Sequence, residues 1–131
     1  MKATQFVTIC EADKGQAVID NGKARLFVKS LLPEKARMEN VGTAEKWFVH
    51  KDQKSGEERF FGPEKGRPDQ VIGAGRLDVI PPDEAAECVY LHVLFPTDSG
   101  TAAMPACAVE KKGGDLVVRV GELEHTFKAA N

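Results

Sequence analysis

The side chains able to do chemistry are few and far apart. The histidines are His50, His92 and His125, and the cysteines are Cys10, Cys88 and Cys107. Zinc ligands come in close pairs, such as C-x-x-C or H-x-x-x-H, because one local turn then aims two of them at the same ion. Here each histidine falls on a separate predicted strand, so the spacing predicts no metal site. An odd cysteine count without C-x-x-C predicts no disulfide framework, and all three thiols are expected to pack as small buried hydrophobes. His92 stands in "VYLHVLF", where the strand period sets Tyr90, His92 and Leu94 against Val89, Leu91, Val93 and Phe95. A general base needs a partner within hydrogen-bond reach. Nothing nearby in sequence supplies one, so His92 reads as a structural or surface residue.

Nucleophile and carboxylate chemistry find no better footing. There is no G-x-S-x-G. Ser99 and Thr101 lie in "PTDSGTAAMP", where Asp, Ser and Gly serve a turn. The acid pairs Glu57-Glu58 and Asp83-Glu84 sit among solvated loop residues, and no cleft is predicted to hold them a few ångströms apart. No catalytic residue and no cofactor is assigned.

Sugar binding has more support. Pyranose faces stack on exposed aromatics, and carboxylate or sulfate groups take Arg and Lys. Residues 23–37 hold five basic residues and a single acid, Glu34. Arg25 and Lys29 share a strand face there, and Trp47 lies beside Phe48 with the opposite orientation. Arg25, Lys29 and Trp47 are therefore the candidate substrate contacts. The segment 51–70 carries five bases and five acids, so it offers no track for a polyanion.

These residues must be positioned by strands. Short apolar runs, many of them alternating at period two, read as strands over 4–10, 36–42, 46–50, 75–81, 88–95, 105–112, 115–121 and 123–128. Residues 17–33 read as a hairpin turning at Asn21-Gly22, where a type I′ loop needs positive φ. On its second arm Ala24, Leu26, Val28 and Ser30 share one face, and Arg25, Phe27, Lys29 and Leu31 the other. Residues 51–70 are expected as a long loop, and "PPDEAAEC" (81–88) as one helical turn. The sum is all-β: an antiparallel β-sandwich of about nine or ten short strands, in one domain covering 1–131. A chain of 131 residues that is 42% hydrophobic supports such a core without metals or disulfides. The net charge of −2 gives no pull toward nucleic acid or an anionic membrane. "MKATQFVTIC" has no apolar signal region and no run is long enough to span a bilayer, so neither nucleic acid nor membrane is expected as a partner.

The order "LLPEKARMENVG", a polar insertion, "GRLDVIPP" and "VYLHVLFPTD" resembles the C-terminal β-sandwich region of the heparinase II/III-like polysaccharide lyases. Arg76, Leu77, Asp78, Val79 and Pro81 match one strand motif of that family, and Leu91, His92, Val93, Leu94 and Pro96 a second. The resemblance spans about Leu31 to Asp98. It departs at Gly75, where the family often has a bulky aromatic, and at Gly42-Thr43, which replaces a Gly-Gly-like pair. It implies that the chain is the C-terminal piece of a larger protein, whose N-terminal helical toroid is its partner. Acidic polysaccharide would bind between the two parts, and the parent, cleaving it by β-elimination, would be periplasmic or secreted. The family's catalytic groups lie largely outside the matched region. The expected role is thus a non-catalytic module that supports the toroid and forms one wall of the cleft. An independent carbohydrate-binding module is the alternative.

Overall fold

A hairpin seeds the architecture. Strand β2 (Gln16–Asn21) pairs antiparallel with β3 (Ala24–Leu32), and Asn21 stands opposite Ala24. The loop is therefore Gly22-Lys23, one residue later than the sequence predicted. Gly22 takes φ +60° and Lys23 does not need a positive φ, the pattern of a type II′ turn with glycine in its first central position. The shift matters because it sets Asp20 directly opposite Arg25.

The computed structural model describes residues 7–41, 48–61 and 76–130. These hold eleven strands, all paired antiparallel, and one short 3-10 turn, Ala12–Lys14. The fold is all-β, as the alternation predicted. The remaining strands are β1 (Val7–Glu11), β4 (Arg37–Val41), β5 (Phe48–Lys51), β6 (Glu58–Phe61), β7 (Arg76–Ile80), β8 (Leu91–Asp98), β9 (Cys107–Lys112), β10 (Asp115–Val120) and β11 (Leu123–Phe127). They form a four-stranded sheet in the order β1-β2-β3-β8, a three-stranded sheet β11-β10-β9, and the pairs β4-β7 and β5-β6.

Several local expectations change. Strand β6 lies inside the segment read as a long loop. Residues 81–90 form no helical turn and run as bends. Strand β8 starts at Leu91 and continues through Pro96 to Asp98. Cys10 and Cys107 are half-buried, but Cys88 is exposed, contrary to the burial expected of all three.

Both faces of β3 are used, as its alternation required. On one, Ala17 and Val28 pack against Met38 of β4, flanked by Cys10, Ile19, Leu26, Leu77 and Val79. The β4-β7 pair thus roofs β1, β2 and β3. The Cys10 thiol donates to the Met38 carbonyl at 3.2 Å, and the Asn40 amide donates to the Thr8 carbonyl at 3.4 Å, fastening β4 over β1. On the other face Phe27 is 2% exposed. Phe95, its ladder partner, lies 6.4 Å away ring to ring, and β9 of the three-stranded sheet runs against β3. In the three-stranded sheet Val117 and Val118 are adjacent, point to opposite sides and are both buried. On the same strand Arg119 pairs with Glu110 at 3.2 Å and Glu124 at 2.8 Å.

Gly15 shows how closely these parts meet. It closes the 3-10 turn at φ +56°, and a Cβ there would lie 3.1 Å from the Ala36 carbonyl oxygen. Only glycine meets both demands, the left-handed conformation and the close approach of two backbones.

Candidate functional site

The basic stripe on β3 lies on the Phe27 face. Arg25 is held on several sides. Its Nε donates to Asp20 Oδ1 at 2.7 Å and its Nη2 to Asp20 Oδ2 at 2.9 Å, a bidentate fork across the β2-β3 ladder. Its Nη1 donates to the Thr101 carbonyl at 2.7 Å, and the guanidinium carbon sits 5.8 Å from the centre of the Phe27 ring. The segment that leads from β8 to β9 is thereby strapped to the central sheet. Hydrogen bonds from Ser99 N–H to the Lys23 carbonyl (2.9 Å) and between the Thr97 and Thr101 hydroxyls (2.8 Å) hold the same strap.

The Arg25 hydrogen bond holds the Asp20 carboxyl below the usual carboxylate range. A carboxyl that gives up its proton more readily when folded contributes stability above its unfolded pKa of about 3.9. That contribution is lost as pH falls through the lower folded value. Asp20→Asn should therefore flatten the acid-unfolding profile below about pH 4. Circular dichroism along an acid titration checks this, and superimposable profiles for the two proteins would refute it.

Lys29 is half-buried four residues along the same face, and its Nζ donates to the Lys14 carbonyl. It lies beside Cys107, whose thiol is pushed up by burial and drawn partly back by the Lys29 charge. Lys14, Lys29 and Lys35 border an open depression of about 410 Å³, with Asp13 and Glu34 on its rim. Trp47 lies outside the described residues.

A second cleft, of about 540 Å³, opens between Pro33 and the bends of 81–89. Glu34, Asp83, Glu87, Cys88 and Lys111 line it. Tyr90 stands next to Cys88, and partial desolvation with the neighbouring thiol pushes its phenol up.

The structure does not bring the histidines together. His92 is exposed on β8, its ring 6.1 Å from that of Tyr90. His125 packs edge-on against Phe127 at 4.6 Å on β11. His50 belongs to β5, in a third sheet. Among the described residues no group of three His, Cys, Asp or Glu is placed to hold a metal ion. Compared with protein-family models, curated proteins and solved structures, the chain matches none.

Two partners of the candidate residues escaped the sequence reading. Asp20 could have been found: a loop at Gly22-Lys23 fixes the Asp20–Arg25 register. Thr101 could not, because it meets Arg25 across 76 residues through a backbone carbonyl that any residue type supplies.

Proposed function

We propose that the chain is a non-catalytic C-terminal β-sandwich module of a heparinase II/III-like polysaccharide lyase, exported with its parent. In that role it supports the helical toroid and forms one wall of a cleft for acidic polysaccharide. The observation that carries this reading is how the family-like residues are employed. Leu77 and Val79 of β7 pack with Met38. Arg76 of β7 spends its fork on Asp78, at 2.6 and 2.8 Å. In β8, Leu91, Val93 and Phe95 are half-buried while His92 faces solvent. These are jobs of scaffold, and the Arg25 fork is likewise engaged by Asp20 and Thr101. A lyase needs a base beside the uronate α-carbon and groups that neutralise its carboxylate; the toroid would supply them.

The test is to incubate the isolated chain with heparin, heparan sulfate, alginate and a neutral glucan. Unsaturated uronate is followed by ultraviolet absorbance and amide shifts by NMR. No elimination product and no saturable shift at Arg25 is the expected outcome. Product from this chain alone would overturn the proposal.

The independent carbohydrate-binding module is the second reading, and the gathering of Lys14, Lys29 and Lys35 around one depression favours it. Saturable shifts at Lys29 with the acidic chains, absent with the neutral glucan, would support it; Trp47 would then be the aromatic to examine.

A further inference from the structure

Among the described residues strand β8 is an edge of the four-stranded sheet, and its outward hydrogen-bonding groups can be named. Ser99 N–H donates to the Lys23 carbonyl, which continues the β3-β8 ladder by one pair. In an antiparallel ladder bonding toward a given neighbour alternates residue by residue. The odd-numbered residues of β8 therefore bond to β3, and His92, Leu94 and Pro96 turn their backbone groups outward. Pro96 has no N–H to offer, and this is the orientation in which proline leaves its own sheet intact.

The outward edge is unlike those that proteins protect. Edge strands are ordinarily blunted with charge, above all lysine, yet residues 88–97, "CVYLHVLFPT", contain no Asp, Glu, Lys or Arg. The side chains above that edge are exposed and apolar: Val89 at 63%, Tyr90 at 47% and Leu94 at 62%. The opposite edge, β1, is partly covered, since Asn40 donates to the Thr8 carbonyl and β4 packs beside it. Strand β11 also exposes Leu123 and Phe127, but Glu122, Glu124 and Lys128 guard it.

We propose that β8 is the seam of a symmetric dimer. A second copy of this chain adds its own β8 antiparallel to this edge, with Val93 on the two-fold axis and His92 opposite Leu94 of the other copy. The proline selects this register. Centring on Val93 engages the N–H and carbonyl of both His92 and Leu94 on each copy, and leaves Pro96 at the margin. Centring on Leu94 would set His92 against Pro96 twice and forfeit a donor each time. A two-fold contact is self-complementary, so each copy presents the donors and acceptors the other lacks. With no charged side chain along the seam, nothing repels an identical strand, and each exposed Leu94 side chain lies opposite His92 of the other copy. The two sheets become one continuous sheet.

Sedimentation velocity over a concentration series is the test, joined to hydrogen exchange of the same full chain. A monomer–dimer equilibrium is expected, with His92 and Leu94 amides exchanging freely when dilute and protected when concentrated. His92→Pro removes one outward N–H per copy and leaves the β3 ladder whole. It should weaken the dimer roughly ten- to thirtyfold, as expected for two ladder bonds. Leu94→Lys, which restores the usual edge charge, should weaken it at least as much, with circular dichroism unchanged in both. A wild-type chain that stays monomeric throughout would overturn the proposal. So would a dimer in which the His92 and Leu94 amides stay unprotected. If a variant fails to fold, the exchange pattern of the wild-type chain alone decides.

Discussion

Phe27→Ala should lower the stability of the chain by about 3–5 kcal/mol, the usual cost of deleting a buried ring. Phe27 is 2% exposed at the middle of β3, with Phe95 across the ladder and Arg25 over its ring. A residue is buried this fully only if something covers its face of the sheet. Strand β9 of the three-stranded sheet runs against β3, and Arg25 ties the strap to the same face at Thr101. Alanine would leave a cavity between two sheets, each fixed by its own ladder and poorly able to close in. Urea unfolding checks the value, read as a fall in midpoint at unchanged slope. A loss of about 0.5 kcal/mol or less, the level of a surface change, would mean that the three-stranded sheet does not bear on this face.

Met38→Ala is the matching experiment on the other face, with an expected cost of about 2–5 kcal/mol. Met38 is 0% exposed and touches Ala17 and Val28, the centre of the cluster under β4-β7. The pair β4-β7 is a two-stranded ribbon, which has little stability of its own in water. It holds its place by this cluster, aided by the Cys10 thiol and the Asn40 amide. The variant should therefore show more than a lower midpoint. Amides of β4 and β7 should exchange faster than those of β2 and β3, because the ribbon can lift away while the central hairpin persists. Equal acceleration in all four strands would show that the ribbon and the sheet unfold as one unit.

How far the sequence disclosed these features depends on the range of the forces involved. The alternation of β3 was plain, since period two follows from the pleat, and Val28 and Phe27 do bury on opposite sides. The hairpin was legible too, but its turn was placed one residue early. Asn-Gly is a strong local signal, but the register of the whole β2-β3 ladder puts the loop at Gly22-Lys23. Pro96 ended the predicted strand at Phe95 because proline lacks an N–H; only the knowledge that β8 is an edge shows why it continues. Strand β6 was hidden because its "ERFF" carries no alternation, and pairing with β5 makes it a strand. Cys88 is exposed because its neighbours are the bends of 81–90, which no burial tendency of cysteine foretells. Of the candidate sugar contacts, the shared face of Arg25 and Lys29 could be read from spacing. The groups that occupy them, Asp20, Thr101 and Lys14, were settled by tertiary structure.

The ribbon β4-β7 also bears on how such a chain can change over evolutionary time. Its strands close on one another across residues 42–75, and the bonds that join them lie outside that excursion. Doubling the length of a flexible excursion adds only about 0.6 kcal/mol of closure entropy. An insertion in the turn at 52–57, between β5 and β6, is thus cheap for the sandwich, whereas one inside β3 would throw Phe27 and Val28 onto the wrong faces. New sequence can accumulate at that one place, and be tried out there, while the sheets beneath stay as they are.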